Sequence, residues 1–241
     1  MAFPLVLAHA GLSGPAAVGN TVGAFEAALR AGADGVELDV RRSEDGVILT
    51  HHDARVGGLP IRTTPFDRLR DRARELGYEL PTLAAALDAL PAPAVVDVEL
   101  KEGGYEAEVL AVVRPRVAPE RLLLTSFRVA CLAALAPLAP GVRRGLLVGW
   151  PTATGAPLPR AAMQRFVERR RRRARARLVA PHWRLLERGG VPQGAADLVV
   201  WTVDEAAPLR RVLTDPRVAV VVTNQVPLAL ELRAELATST P

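Results

Sequence analysis

The chain has 241 residues, of which 49% are hydrophobic and 24% charged, and carries a formal net charge of +5. That much apolar material excludes an intrinsically disordered chain and can fill a large core. No apolar run reaches the ~18 residues of a membrane span, the short apolar start lacks the basic flank of a leader peptide, and a single cysteine, Cys131, excludes an internal disulfide or a cysteine-built zinc site.

The chain opens with a β-like run at Pro4–Ala8, and a helical pattern follows at Thr21–Ala31. Two β-like runs come next, Gly35–Val40 and Val47–His51, joined by Glu44-Asp45-Gly46. Asp-Gly between two such runs signals a hairpin, so the second run reads as a return arm on the first. Residues 57–80 read as an insertion or crossing segment at the same end. Beyond it, helical patterns at Leu83–Leu90, Tyr105–Val113, Val129–Leu138, Pro159–Ala176, Glu205–Leu213 and Leu228–Leu236 alternate with β-like runs. The runs are Ala94–Leu100, Arg121–Ser126, Gly145–Trp150, Leu178–His182, Leu198–Val203 and Val218–Thr223. Strict alternation of this kind builds a parallel sheet with helices outside. With the hairpin arm set aside, eight strands remain. The expectation is an α/β chain folded as a (β/α)8 TIM barrel with a β-hairpin insertion after the second strand. It would be one domain over 1–241, close to the roughly 250 residues such barrels take, and cytoplasmic.

The candidate chemistry lies at strand ends. Side chains alternate along a strand, so Glu37 and Asp39 share one face while Leu38 takes the other. Two carboxylates aimed into one space repel, and a cation with a taste for oxygen ligands, Mg2+ or Ca2+, relieves that cost. Asp97, Glu99 and Lys101 repeat the period after the apolar Ala94-Val95-Val96. Charges there fall at the C-terminal mouth, where barrel active sites form. Lys101 is the only lysine in an arginine-rich chain, which suggests a position needing a compact ammonium. The four histidines, His9, His51, His52 and His182, all fall at the ends of β-like runs, and histidine is the side chain best suited to proton transfer near neutral pH. Cys131, in an apolar helical stretch, reads as a small buried hydrophobe.

Taken together these motifs resemble the glycerophosphodiester phosphodiesterase family. Its pattern runs His-Arg-Gly, Glu-Asn-Thr, Gly-Ala-Asp-Gly-x-Glu-x-Asp-Val, Asp-Gly and His-Asp. The chain presents His9-Ala10-Gly11, Gly19-Asn20-Thr21, Gly32 through Val40, Asp45-Gly46 and His52-Asp53 in the same order. The likeness continues through Pro81-Thr82-Leu83, Glu99-Leu100-Lys101, Thr125-Ser126-Phe127 and Trp201-Thr202-Val203-Asp204. It implies Glu37, Asp39 and Glu99 as metal ligands, His9 and His52 as the acid–base pair, Lys101 as a phosphate contact, Trp201 as a pocket wall and Asn20 as a residue fixing the first loop. It assigns nothing to His51. Three positions depart from the pattern: Ala10 replaces an arginine, Gly19 a glutamate, and Thr223-Asn224-Gln225-Val226 stands where Thr-Asp-x-Pro is expected.

The expected activity is metal-dependent hydrolysis of a small-molecule glycerophosphodiester to glycerol 3-phosphate and an alcohol. A lyase stopping at a cyclic phosphate, or a non-catalytic barrel binding a phosphorylated ligand, are the alternatives. Arg41 is the candidate to replace the guanidinium lost at residue 10, because it shares the face of Glu37 and Asp39; the competing reading pairs it with Glu44 or Asp45. The five arginines Arg169 to Arg173 spread around a helix at ~100° per residue and have no interleaved aromatics. They read as a solvated face, so no nucleic-acid partner is expected.

Overall fold

The computed structural model describes residues 3–12, 14, 18–149, 159–192, 194–195 and 197–238. Eight parallel strands form the barrel: β1 (Leu5–Ala8), β2 (Gly35–Arg42), β6 (Val95–Leu100), β7 (Leu122–Ser126), β8 (Arg143–Val148), β9 (Leu178–Pro181), β10 (Leu198–Val200) and β11 (Val218–Thr223). Their spatial order is β10-β11-β1-β2-β6-β7-β8-β9. The ends of that row meet at a parallel bridge between His182 and Trp201, which closes the barrel at its C-terminal rim. Helices follow the strands: α1 (Val22–Arg30), α3 (Leu83–Asp88), α4 (Glu106–Val113), α5 (Val129–Leu138), α6 (Arg160–Arg173), α7 (Trp183–Glu187), α8 (Ala206–Thr214) and α9 (Val226–Thr238).

Strand alternation sorts the apolar side chains into two layers. Leu7, Leu123, Leu147, Leu178, Ala180, Val199, Val220 and Val222 fill the barrel interior. Their outward neighbours, among them Val6, Val36, Leu38, Val98, Leu100, Leu124 and Val221, pack beneath the helices. Each buried aliphatic side chain stabilises the fold by roughly 1.5–3 kcal/mol relative to exposure. On β2 and β6 the inward positions near the rim carry acids instead of aliphatics, so the apolar filling stops one layer below the mouth.

The insertion after β2 starts as a hairpin. β3 (Ile48–Thr50) pairs antiparallel with β2, Val40 opposite Thr50 and Arg42 opposite Ile48. A two-stranded ribbon, β4 (Arg55–Val56) and β5 (Leu59–Pro60), and then α2 (Phe66–Glu75) follow. These pieces share a small core of their own: Leu49, Val56, Ile61, Phe66, Leu69, Ala73 and Leu80. Neither the ribbon nor the helices α2 and α7 are legible in the sequence pattern. Helix α2 has apolar residues only at Phe66, Leu69 and Ala73, diluted among arginines and acids. α7 is five residues long, too short to show a period.

Several strand boundaries move, and β2 runs on to Arg42, two residues past the expected Val40. The β8 strand begins at Arg143, two residues before the expected Gly145, and Trp150 lies outside the described residues. Arg144 enters the strand because its guanidinium, at the base of the barrel, donates to the carbonyls of Ala139 (2.7 Å) and Val142 (3.0 Å). The β10 strand stops at Val200 because Trp201 leaves the ladder with β11 to close the barrel. Cys131 is buried, and burial pushes its thiol up to about 12, as suits an inert packing residue.

Gly35 marks the tightest approach in the barrel: a Cβ there would stand 2.0 Å from the Val95 carbonyl oxygen. Gly35→Ala should therefore force β2 away from β6. The expected cost is on the order of 3 kcal/mol, a fall of about 6–12 °C in Tm. A variant melting within about 2 °C of wild type would mean that the two strands separate there without strain.

Candidate active site

Several elements that end at the rim deliver polar groups to it. From β2 come Glu37 and Asp39, from β6 Asp97, Glu99 and Lys101, and from the segment after β1 His9. The hairpin brings His52, and the segment after β10 brings Trp201. A cavity of about 190 Å³ is lined by His9, Glu37, His52, Asp97, Glu99, Lys101, Thr125, Phe127, Leu147, Val199, Trp201 and Val222. A larger open groove, about 580 Å³, runs along α6 among Arg165, Arg169, Arg172 and Arg173, but no group of carboxylates converges there among the described residues.

The acids are packed at a density that water alone does not support. Glu37, Asp39 and Glu99 each offer an oxygen within 4.8 Å of the others, and all three are buried. Glu37 is held well above the ordinary glutamate range by burial and by the negative charges of Asp39, Glu99 and Asp97. Burial likewise raises Glu99, against the pull of Lys101. Asp97 is pushed up to about 7 by burial, although the Thr125 hydroxyl donates to it at 2.8 Å. Facing them, the Lys101 ammonium lies 2.8 Å from Asp39 Oδ1 and 2.9 Å from Glu99 Oε1. Burial opposes its charge, but the Asp39 and Glu99 carboxylates outweigh it and hold the ammonium above the ordinary lysine range.

The donor set fits a hard divalent cation. All its atoms are carboxylate oxygens, the negative charge exceeds what one ammonium neutralises, and Asp39 Oδ1 is buried without a hydrogen-bond donor other than that ammonium among the described residues. The other Asp39 oxygen is held by Asn20, whose Nδ2 donates at 2.7 Å while its Oδ1 accepts from the Asp39 backbone N–H at 2.9 Å. Asn20 is buried and left-handed at φ +61. It orients an acid of the cluster from the first loop and is not among the described residues that line the cavity. Ala10, also left-handed at φ +53, donates its backbone N–H to Glu37 Oε2 at 3.0 Å. Its side chain supplies no cation, and Lys101 is the one cationic residue among those that line the cavity.

The two cavity histidines are each tethered through Nδ1. His9 Nδ1 lies 3.0 Å from Asn224 Oδ1, and His52 Nδ1 lies 2.9 Å from Asp53 Oδ1. The other two lie elsewhere. His51 stacks on Tyr78 within the insertion and bonds through Nε2 to the Arg55 carbonyl at 3.1 Å. His182 caps α7, its Nδ1 accepting from the Arg184 N–H at 3.2 Å. Burial lowers the pKa of both. Trp201 commits its indole N–H to the Ala180 carbonyl at 2.7 Å and stands edge-on to Phe127, so it offers the cavity an apolar ring.

Arg41 continues the face of Glu37 and Asp39, yet it is not among the residues lining the cavity. Its guanidinium grips the His52 carbonyl with two bonds, 3.0 Å from Nε and 2.7 Å from the second terminal nitrogen, and pairs with Glu102. Neither Glu44 nor Asp45 is its partner; Asp45 accepts instead from Ser43 and from the Phe66 N–H. Of the arginine run, Arg171 and Arg172 close on Glu168 and Arg170 donates to the Phe127 carbonyl.

A (β/α)8 barrel with a carboxylate cluster and two tethered histidines at its C-terminal mouth has the layout of a barrel enzyme's active site. The sequence profile of the Glycerophosphoryl diester phosphodiesterase family matches residues 9–226, and the chain belongs to that family. A glycerophosphodiester phosphodiesterase of Caldanaerobacter subterraneus is 30% identical over 161 residues, covering 59% of this chain and 66% of the relative. The protein YqiK of Bacillus subtilis is 32% identical over 160 residues, 59% of this chain and 65% of its own length. The chain thus matches just under two thirds of the length of these curated relatives. Among solved structures, the glycerophosphodiester phosphodiesterase of Thermotoga maritima aligns with a TM-score of 0.74 at 26% identity over 95% of this chain and 98% of that one. A phosphodiesterase of Oleispira antarctica, solved with the product sn-glycerol-3-phosphate, aligns at 0.74 and 22% identity over 95% and 96%.

Ionisation of Asp97 yields a test of the acid cluster. Burial raises this carboxyl in the folded chain to about 7, against an ordinary value of 3.8. Between those values the unfolded chain ionises first and binds fewer protons, so stability falls as pH rises and levels off above the folded value. With a chelator present, wild type should lose stability from about pH 5 to about pH 7 by up to ~1.4 kcal/mol per pH unit, and Asp97→Asn should lose less. Parallel pH profiles in urea melts would show that Asp97 ionises freely in the fold.

Proposed function

We propose that this chain hydrolyses glycerophosphodiesters to glycerol 3-phosphate and an alcohol, with Mg2+ or Ca2+ held by Glu37, Asp39 and Glu99. The observation that carries this reading is the convergence, in one small cavity, of two Nδ1-tethered histidines with a buried acid cluster that lacks enough positive charge. A set so complete argues against a non-catalytic barrel. The chemistry a bound divalent cation supplies there is neutralisation of the non-bridging phosphate oxygens as charge develops.

The chain's own groups do the rest. One histidine removes a proton from water as its oxygen bonds to phosphorus, and the other gives a proton to the leaving alcohol oxygen as the old P–O bond breaks. His9 is the base in this scheme, because its tether is a neutral amide. His52 is the acid in this scheme, because its Nδ1 faces the Asp53 carboxylate, and that hydrogen bond lowers the Asp53 pKa. Lys101 contacts phosphate from the metal side. Trp201 and Phe127 provide an apolar wall for the carbon skeleton of the substrate. Arg41 acts through His52 by holding its backbone.

The direct experiment is a phosphodiesterase assay on glycerophosphodiesters with EDTA and with added Mg2+ or Ca2+. Activity should require the metal, and an enzyme indifferent to EDTA would remove the metal from the scheme. His9→Ala and His52→Ala should each lower kcat by ~10²–10⁴-fold, while His51→Ala has little effect. Full turnover in both of the first two would leave the scheme without a proton carrier. Arg41→Ala should lower kcat with KM nearly unchanged. A KM raised by roughly tenfold at constant kcat, the loss of one charge-assisted hydrogen bond, would instead place Arg41 on the phosphate.

A further inference from the structure

We infer that Asn224, at one of the positions departing from the family pattern, is a positioning residue that sets the tautomer of His9; this rests on His9 being an acid–base residue. Asp204 lies beside Asn224. Its carboxylate accepts from the Asn224 backbone N–H (2.8 Å), from Asn224 Nδ2 (2.8 Å) and from the Thr223 hydroxyl (3.2 Å). A carboxylate accepts and does not donate, so the end of the Asn224 amide that faces Asp204 has to be its NH2 group. That fixes the flip of the amide, and its oxygen is then the atom 3.0 Å from His9 Nδ1. An amide oxygen also only accepts, so Nδ1 carries the proton. A neutral imidazole has one N–H, which leaves the lone pair on Nε2 for the cavity that His9 lines.

The chain of logic is directional: Asp204 orients Asn224, and Asn224 orients His9. It also separates the two histidines. Both are tethered at Nδ1, His9 to a neutral oxygen and His52 to a carboxylate. The ends of β11 and β1 are held together at the same place, since the His9 N–H donates to the Thr223 carbonyl at 3.0 Å. The ring is therefore anchored both through its backbone and through Nδ1.

The test is two-bond ¹H–¹⁵N NMR of histidine-labelled, metal-free protein at about pH 8, where an ordinary imidazole is neutral, with His9 assigned by its loss in His9→Gln. Wild type should show His9 protonated on Nδ1. Asn224→Leu, which keeps the bulk and removes the acceptor, should move the proton to Nε2 or average the two forms. It should also lower kcat by about 100-fold, within the range for a positioned proton acceptor, with a smaller change in KM. Asp204→Asn frees the amide to flip and should weaken the preference in the same direction. Unchanged His51 and His182 signals report that each variant is folded. Wild-type His9 protonated on Nε2, or Asn224→Leu with an unaltered tautomer, overturns the inference. A fully active His9→Gln overturns the acid–base assignment instead, and the NMR result then decides the tautomer by itself.

Discussion

The interaction on which the site depends is the crowding of Glu37, Asp39, Asp97 and Glu99 around a single ammonium. Buried carboxylates of like charge cost free energy in proportion to how little water and counter-charge they have. The fold meets that cost partially: Lys101 bridges two acids, Asn20 and the Ala10 N–H each satisfy one oxygen, and the Thr125 hydroxyl satisfies another. What remains is an unmet demand for positive charge, enclosed by an otherwise apolar barrel. Ala10 adds no positive charge to meet it, and no guanidinium is among the described residues that line the cavity.

Much of this was open to reading because a strand has a period of two. Glu37-x-Asp39 and Asp97-x-Glu99-x-Lys101 could point only to one face each, and parallel pairing in register brought the two faces together, Glu37 beside Asp97 and Asp39 beside Glu99. The Asp-Gly hairpin was equally legible, since its turn chemistry is local, and it separates His51 from His52 by the same alternation. The contacts that tune the site were not legible. Asn224 and His9 are 215 residues apart, and Arg41 and Glu102 are 61 apart. A departure from a motif announces that something has changed but not which atom takes up the slack. For Asn224 the answer came from counting donors and acceptors around Asp204.

The insertion carries a cavity residue on a segment outside the barrel frame. His52 and Asp53 lie beyond the barrel wall, on a segment with its own apolar core from Leu49 to Leu80. One buried guanidinium, Arg41, ties that segment back to the barrel through the His52 carbonyl and Glu102. The His52 backbone on that side thus depends on a tether that is not among the described residues lining the cavity. On the opposite side His9 is part of the barrel, bonded strand end to strand end.

The closure between β9 and β10 has a thermodynamic corollary. Those two strands meet at Trp201, through its N–H to the Pro181 carbonyl (3.3 Å), its carbonyl to the Trp183 N–H (2.9 Å) and its indole to Ala180 (2.7 Å). The residue that clasps the seam is also a wall of the cavity. A molecule packed against that ring binds only the clasped form, so mass action makes it a fastener: filling the cavity suppresses opening of the seam in proportion to occupancy. The backbone amide hydrogens of Trp201 and Trp183, which span the seam, then become reporters of ligand, exchanging more slowly when the cavity is full.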